Sequence, residues 1–268
     1  MIKLVVSDID GTLVRNDKSL SDGNAAAVGR LMDAGVAVTL ISARPASGML
    51  WIAERLKLDG PFGAFNGGTL FMADGSIKAK HVLAEDAARD LIAYLEQQPV
   101  IRWVFADGDW LASDKDELHT PREVKSAGVE PIFATDVSDR IARCDKIVAV
   151  TDDQPLLDRI EGEVKGLLGD RATVARSQTY YLDITAPQAN KGAGIAALAE
   201  AFRVTLDETV ALGDQANDLP MFARAGFSVA MGQAPDPVKA AAKAVAASNN
   251  DDGVADAIDR LILPKVRA

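Results

Sequence analysis

Two kinds of apolar pattern alternate at the start of this chain. Residues 3–7, 36–41 and 62–65 are short runs rich in apolar residues, which predicts buried strands. Between the first two runs, apolar residues recur at helical spacing, as at Ala25, Val28 and Leu31. Apolar strands separated by amphipathic helices are typical of a parallel sheet with helices on both faces. This part of the chain therefore predicts an α/β fold.

The end of the chain repeats the same alternation. Strands are predicted at residues 209–212 and 227–231, with helical patterns before, between and after them. We therefore predict one Rossmann-like, doubly wound parallel sheet built from both ends of the chain. Its discontinuous core domain is predicted to comprise residues 1–81 and 186–268.

The middle of the chain, residues 82–185, has a different pattern. Two predicted strands, residues 100–106 and 110–112, flank the turn sequence Asp107-Gly108-Asp109, and further strands and helices follow. Hairpins mixed with helices indicate an antiparallel sheet with helices on one face, so this segment is predicted to be an inserted α+β domain. Two of the three tryptophans and all three tyrosines lie here, and we predict that they are core and sheet residues.

Polar clusters follow the predicted strands or begin a predicted helix at four places. Their sequences are Asp8-Ile9-Asp10-Gly11-Thr12-Leu13, Ser42-Ala43-Arg44, Asn190-Lys191-Gly192 and Gly213-Asp214-Gln215-Ala216-Asn217-Asp218. The carboxyl ends of parallel strands lie along one edge of a sheet, so these clusters are expected to converge there.

The two carboxylates at the end of the first strand point to metal chemistry. Asp8 and Asp10 would face the same side of a regular strand, where like charges repel unless a divalent cation lies beside them. Asp8, Asp10 and Asp214 would form an oxygen site suited to Mg²⁺. The polar groups of Ser42, Lys191 and Asn217 would hold the oxygens of a phosphate.

At these residues the chain resembles the haloacid dehalogenase superfamily of phosphohydrolases. The D-x-D-G-T-L start, the hydroxyl after the second strand, the N-K-G lysine and the G-D-x-x-N-D end appear in the order of that family. The branch that it resembles most is the Cof-type sugar phosphatases. The second motif departs from the usual Ser/Thr-Gly-Arg, because Ala43 stands between Ser42 and Arg44.

The resemblance implies a Mg²⁺-dependent phosphatase that acts through an aspartyl phosphate. It implies that Asp8 is the nucleophile, that Asp10 is the general acid and base, and that Lys191 offsets the charge of the phosphate and of the Asp8 carboxylate. The implied metal ligands are Asp8, the main-chain carbonyl of Asp10, and Asp214, while the implied phosphate and substrate contacts are Ser42, Ala43, Arg44, Lys191 and Asn217. Asp218 is expected to orient metal-bound water or Lys191.

The position of the insertion carries a further implication. Ser42 and Lys191 are separated by 149 positions (191 − 42), far more than one crossover between strands needs. Members of the family with an insertion at this place carry an α/β cap associated with sugar phosphates and related small substrates. The resemblance therefore implies that residues 82–185 close over the carboxyl edge of the core sheet.

Composition limits the partners. The chain has 268 residues, with 29 basic and 39 acidic side chains and a net charge of −10, which argues against nucleic acid and anionic membranes as partners. The single cysteine, Cys144, excludes an intramolecular disulfide, and no apolar run approaches the roughly 18 residues of a membrane span. We expect a cytoplasmic protein whose partner is a small phosphorylated metabolite, and the oligomeric state stays open. The acidic stretch at residues 114–117 is predicted to be a solvated loop.

Two alternatives remain open. A phosphomutase of the phosphomannomutase type would use the same motifs but retain the phosphoryl group by excluding water. A non-catalytic binding protein on the same fold would not need the complete set of Asp8, Asp10, Ser42, Lys191 and Asp214. A nucleotide-binding protein is disfavoured, because Asp-Gly-Thr follows the first strand instead of a glycine-rich phosphate loop.

Overall fold

The first part of the chain alternates strands and helices before it ends in a hairpin. A computed structural model describes residues 1–115 and 118–266, so half of the acidic stretch at 114–117 lies outside the described residues. Its elements are β1 (Leu4–Ser7), α1 (Asp22–Asp33), β2 (Ala37–Leu40), α2 (Ser47–Leu56), β3 (Phe62–Ala64), β4 (Thr69–Phe71) and β5 (Ile77–Lys80). The side chain of Ser21 fixes the start of α1, because its Oγ accepts a hydrogen bond from the Asn24 amide at 3.1 Å.

The inserted segment, residues 82–185, forms a sheet of its own. Its elements are α3 (Glu85–Leu95), β6 (Ile101–Ala106), β7 (Asp109–Ala112), α4 (Thr120–Ala127), β8 (Ile132–Phe133), β9 (Cys144–Val150), α5 (Gln154–Leu168), β10 (Thr173–Gln178) and β11 (Tyr181–Thr185). The predicted turn lies between β6 and β7, where Asp107 and Gly108 both have positive φ angles.

The last part of the chain returns to alternating helices and strands. Its elements are α6 (Lys191–Ala201), β12 (Thr209–Gly213), α7 (Leu219–Phe222), β13 (Phe227–Ala230), α8 (Asp236–Ala241), β14 (Ala244–Val245), α9 (Gly253–Asp256), a π-helical stretch Ala257–Ile262 and α10 (Leu263–Val266). Asn190 caps α6, because its Oδ1 accepts a hydrogen bond from the Ala193 amide at 2.9 Å.

Both ends of the chain contribute to one parallel sheet, with the strand order β14-β13-β12-β1-β2. Alternate residues of the central strand β1 face opposite layers. Val5 lies in an apolar cluster with Leu31 of α1, whereas Leu4 and Val6 lie in another with Ile195 of α6. The sheet is therefore covered by helices on both faces, which confirms the predicted α/β fold class.

The third predicted strand does not belong to the parallel sheet. It touches the end of β2 through a single parallel bridge between Ile41 and Gly63, and it pairs antiparallel with β4 in the small sheet β3-β4-β5. The physical reason is the local backbone: Phe65, Asn66 and Gly67 all have positive φ angles, which reverse the chain into a hairpin. No residue pattern between 66 and 81 led to a prediction of this hairpin.

The inserted segment packs helices on one face of its sheet and faces the parallel sheet with the other. The strand order is β10-β11-β9-β6-β7-β8, and only the pair β7–β8 is parallel. Leu91 of α3 and Ile160 of α5 cover one face, as predicted for an α+β module. On the other face, the ring of Phe105 lies 6.0 Å from that of Phe65 in the hairpin. Within the described residues, no helix combines the length and apolar character needed to cross a membrane.

Candidate active site

The strand order places three of the predicted polar clusters side by side. Strand β1 lies between β12 and β2, so Asp8, Asp214 and Ser42 follow three neighbouring strands at the same edge of the sheet. Lys191 begins α6, and its Nζ reaches the same edge, where it lies 2.7 Å from Oδ1 of Asp8. This topology places the residues close together, as expected from the sequence.

Lys191 connects two of the carboxylates. Its Nζ lies 2.7 Å from Oδ1 of Asp8 and 2.5 Å from Oδ1 of Asp218, and all three side chains are buried. Burial acts to lower the pKa of Lys191, but the two carboxylates outweigh it and hold the pKa above its usual value. The other oxygen of Asp218 accepts hydrogen bonds from the backbone amides of Asp214 and Gln215, each at 2.8 Å. Asp218 is thus held at both oxygens and in turn fixes Lys191.

The carboxylates at this edge form a cluster that could hold a metal ion. Asp8, Asp214 and Asp218 each offer an oxygen within 4.8 Å of the others. Burial raises the pKa of Asp8 well above its usual value, and burial together with Asp218 raises that of Asp214 to about 7. Negative charge is therefore incompletely compensated here, and oxygen donors of this type are the ligands that Mg²⁺ prefers.

The loop after β1 fits closely around Asp214. The hydroxyl of Thr12 donates a hydrogen bond to Oδ1 of Asp214 at 3.1 Å. Gly11 has a φ angle of +76°, and a side chain at this position would collide with the Asp214 carboxylate. The sequence Gly11-Thr12 thereby holds the loop against Asp214.

The side chain of Asp10 is not part of the carboxylate cluster. Its two oxygens accept hydrogen bonds from Nε and Nη2 of Arg44 at 2.7 and 2.8 Å, and Nζ of Lys18 lies 2.5 Å from Oδ1. Burial would raise the pKa of Asp10, but Arg44 and Lys18 outweigh it and hold the pKa far below its usual range. In this arrangement Asp10 is an ionised carboxylate between two cations.

The predicted phosphate-binding residues lie around the same edge. Ser42 is buried, and its Oγ accepts a hydrogen bond from the Arg44 amide at 3.2 Å. The carbonyl oxygen of Ala43 accepts a hydrogen bond from Nζ of Lys146, at 3.0 Å, in the inserted segment. Asn217 donates to Oδ1 of Asn66 at 3.3 Å, and its own Oδ1 is buried and has no partner among the described residues. The structure therefore brings together the side chains predicted from all four motifs.

The comparisons with known proteins identify the family. The sequence profile of the haloacid dehalogenase-like hydrolases matches residues 5–258. The chain belongs to this family. It is 27% identical to a 5-amino-6-(5-phospho-D-ribitylamino)uracil phosphatase of Bacillus subtilis, over 97% of this chain and 98% of that protein. It resembles the crystal structure of a haloacid dehalogenase-like hydrolase from Bacteroides thetaiotaomicron, with a TM-score of 0.85 and 28% identity over 97% and 100% of the two chains.

These findings confirm the predicted superfamily and its fold. They also confirm the predicted enzyme class, a phosphatase of the haloacid dehalogenase superfamily. A second phosphatase of Bacillus subtilis, which carries the same substrate in its name, is 27% identical over 98% of this chain and 96% of that protein.

The hydrolase has a cleft between the parallel sheet and the inserted segment. The space has a volume of about 530 Å³, part of which is open to solvent. Residues of both parts line it, and the inserted segment contributes Arg122, Glu123, Ser126, Lys146, Ser177, Gln178, Tyr180 and Tyr181. Six of the predicted site residues line its floor, whereas Lys191, Asp214 and Asp218 are buried and are not among the lining residues. The six are Asp8, Asp10, Ser42, Ala43, Arg44 and Asn217.

Sequence reasoning missed several residues of this cleft in the hydrolase. Lys18 and Lys146 were not identified, because lysines in a loop and in a strand carry no spacing that marks a site. Glu123 was missed for the same reason, because a single glutamate on a short helix carries no spacing that marks a site. Trp103 is buried as predicted, whereas Tyr180 stands in the cleft wall with its ring stacked on that of His119 at a centroid distance of 3.8 Å.

The stability of the metal-free hydrolase is expected to fall as the pH rises from about 4 to about 7. The pKa of Asp214 is about 7 in the folded protein and about 3.9 in an unfolded chain. A raised folded pKa stabilises the protein below the unfolded value, and this stability is lost as the pH passes the folded value. Thermal unfolding with EDTA at about pH 5 and about pH 8 measures the effect.

Two variants separate this effect from general pH dependence. Asp214→Asn removes one titrating carboxylate of the cluster, so its melting temperature should change less with pH. Asp33→Asn, at an exposed position at the end of α1, should behave as the wild type does. An unchanged pH dependence in Asp214→Asn contradicts the prediction.

Proposed function

We propose that this hydrolase is a Mg²⁺-dependent phosphatase that cleaves small phosphate monoesters, in particular sugar phosphates, through an aspartyl-phosphate intermediate. The haloacid dehalogenase family and its phosphatase relatives support activity on small phosphorylated substrates. The observation that carries the mechanism is the ion pair of Lys191 with Asp8 inside a buried carboxylate cluster. It combines a fixed carboxylate nucleophile with a cation that offsets phosphate charge.

The reaction would proceed in two displacements. A carboxylate oxygen of Asp8 attacks phosphorus, a new P–O bond forms, and the bond from phosphorus to the leaving oxygen breaks. The leaving oxygen takes a proton from the Asp10 carboxyl group. Water then attacks the aspartyl phosphate, Asp10 takes a proton from that water, and the Asp8–phosphorus bond breaks to release inorganic phosphate.

Lys191, Ser42 and Asn217 would position the phosphate. Lys191 is already charged and held by Asp218, so its charge needs no rearrangement when phosphate arrives. The Ser42 hydroxyl and the Asn217 amide lie in the cleft floor, where they can hydrogen-bond to phosphate oxygens. Residues from three sequence motifs would therefore bind the oxygens of the same phosphate group.

The ionised state of Asp10 suits the second displacement directly. An ionised carboxylate can accept a proton from water in the second displacement. For the first displacement Asp10 must carry a proton, which requires that Arg44 or Lys18 move off its oxygens. Both cations line the cleft, and an arriving phosphate would attract them.

Asp8 and Asp214 fit a Mg²⁺ site, as does Asp218 by position. Their oxygens lie close together, and the raised pKa values show that the buried negative charge lacks a sufficient counter-charge. When bound, the ion would supply neutralisation of the phosphate oxygens. We propose that Asp8, Asp214 and the main-chain carbonyl of Asp10 bind it, and that Asp218 orients metal-bound water or Lys191.

We propose that the inserted segment acts as a cap on a core of residues 1–81 and 186–268. The cleft between them supports this division, because one wall comes from each part. The contacts that hold the walls together include the hydrogen bond from Ser47 Oγ to the Ala127 carbonyl at 2.6 Å. A closed cap would keep bulk water from the phosphoryl group and contact the leaving group.

A polyol or sugar leaving group is supported by two observations. The Bacillus subtilis relatives are named for a substrate in which the phosphate is attached to a D-ribityl chain. In the present chain, the cap side of the cleft offers Ser177, Gln178 and Lys146, which are hydrogen-bonding partners for hydroxyl groups.

A substrate screen tests the function. Purified protein is incubated with a panel of sugar and polyol phosphates, and both inorganic phosphate and isomerised sugar phosphate are measured. A phosphatase releases phosphate, a phosphomutase produces the isomer instead, and a binding protein yields neither. The last two results would each overturn the proposed function.

A further inference from the structure

Glu123 is a buried carboxylate that faces the cleft without a partner. It lies on α4 of the inserted segment, only 7% of the residue is exposed, and it lines the cleft. Among the described residues, no hydrogen bond reaches its carboxylate, and no lysine or arginine nitrogen lies within the 4.0 Å of an ion pair. Moving a carboxylate out of water is costly, so a ligand group in the cleft that hydrogen-bonds to Glu123 would be favourable.

The position of Glu123 is fixed by contacts between α4 and the core. Ala127, one helical turn further along, accepts the hydrogen bond from Ser47 through its carbonyl oxygen. Gly48 of α2 lies so close to Ser126 that any side chain at position 48 would collide with the carbonyl oxygen of Ser126. The backbone of α4 therefore packs directly on the start of α2, and this contact fixes the position of Glu123 at the cleft.

Lys146 is a donor on the same side of the cleft. Its Nζ donates to the Ala43 carbonyl, lies 3.8 Å from Oδ2 of Asp183, and stands 4.8 Å from the centre of the Phe105 ring. Lys146 is thereby held by other groups and does not form an ion pair with Glu123. The inserted segment thus presents to the cleft the Glu123 carboxylate, the Lys146 ammonium held by other groups, and the Arg122 guanidinium, which lies 6.0 Å from the centre of the Tyr180 ring.

The charges around Glu123 come from both walls. Burial raises its pKa to about 7; Asp10 and Asp183 act in the same direction, and Lys146 and Lys18 act against them. Arg44 and Arg122 also line this part of the cleft. Asp10 is the proposed proton donor to the leaving oxygen, so a group near both Asp10 and Glu123 belongs to the leaving group.

We propose that Glu123 selects the leaving group by its charge, accepting a hydrogen bond from an amino or hydroxyl group of the sugar and rejecting a carboxylate. This inference rests on the proposed phosphatase function. The substrates that it favours are phosphate monoesters of amino sugars and neutral polyols. Those that it disfavours are phosphorylated sugar acids, because two carboxylates at one buried place repel each other.

Three substrates with the same phosphorylated carbon test the proposal. These are glucosamine 6-phosphate, glucose 6-phosphate and 6-phosphogluconate, and kcat/KM is measured for each at about pH 7.5, above the pKa of Glu123. We expect the wild type to favour the amine and the neutral sugar over the acid. In Glu123→Gln the ratio of kcat/KM for the amine to that for the acid should fall by about tenfold or more, the effect of losing a hydrogen bond to a charged group.

Control variants separate charge recognition from general damage. Glu130→Gln removes an exposed carboxylate just beyond the same helix and should retain the wild-type ratio. Glu123→Asp keeps the charge and should retain the order of preference. Thermal unfolding of each variant shows whether it is folded, and a ratio between two substrates is independent of the fraction of active enzyme.

The outcomes distinguish failure of this inference from failure of the proposed function. If the wild type releases no phosphate from any of the three sugars or from p-nitrophenyl phosphate, the phosphatase proposal fails and this inference fails with it. If the wild type hydrolyses p-nitrophenyl phosphate but none of the sugars, the inference alone is overturned. It is equally overturned if the sugars are hydrolysed and Glu123→Gln retains the wild-type ratio.

Discussion

Replacing Asp8 by asparagine is expected to abolish turnover while the protein remains folded. An amide is a far weaker nucleophile than a carboxylate, and the loss of a catalytic nucleophile reduces kcat by roughly five orders of magnitude or more. Asparagine has nearly the same shape, so the packing around β1 should be preserved. The measurement is phosphate release with Mg²⁺, on protein checked by mass spectrometry for deamidation back to aspartate.

The fold of this variant should be at least as stable as that of the wild type without metal. Burial and the neighbouring carboxylates raise the pKa of Asp8, which means that its charge is unfavourable in the folded protein. Asp8→Asn removes that charge, so the metal-free melting temperature should rise or stay the same. Retention of more than about one per cent of wild-type activity, in protein free of deamidation, would exclude the covalent mechanism.

Removal of divalent metal is expected to abolish activity, and Mg²⁺ should restore it. The cluster of Asp8, Asp214 and Asp218 has more negative charge than Lys191 offsets, and an arriving phosphate would add to it. A divalent ion is therefore needed before an anionic substrate can approach Asp8. Ca²⁺ should restore activity poorly, since it prefers longer bonds and more ligands than Mg²⁺ does.

The experiment compares EDTA-treated protein before and after addition of each ion. Isothermal titration measures Mg²⁺ binding separately from catalysis, and Asp214→Asn should weaken that binding. Asp33→Asn, at an exposed position at the end of α1, is the matched control. Full activity in metal-free buffer would refute the metal site.

The fold class could be predicted because its signals are local. Apolar runs alternating with helical periodicity are properties of short segments, and the parallel sheet follows from them. The hairpin of β3 and β4 was missed although Asn66-Gly67 is a pair that favours positive φ angles and hairpin turns; only the positive φ angle at Phe65 has no signal in its residue type.

The sequence alone determined which residues stand at the edge of the parallel sheet. Asp8, Ser42, Lys191 and Asp214 directly follow predicted strands or begin a predicted helix, so chain topology is enough to bring them together. The tertiary structure decided what each of them contacts. Asp10 is an example. It is only two residues from Asp8 in the sequence, but Arg44 and Lys18 hold its side chain apart from the carboxylate cluster.

Only the tertiary structure showed which residues of the inserted segment line the cleft. Glu123 and Lys146 come from a helix and a strand of the inserted segment, and their approach to Ala43 and Asp10 depends on how two separate sheets pack. Motif spacing records distances along one chain segment, whereas this packing is set by contacts such as Gly48 against Ser126. The edge that carries the four motifs is thus encoded locally in the sequence, whereas the opposite wall of the cleft is encoded only in the fit between the two sheets.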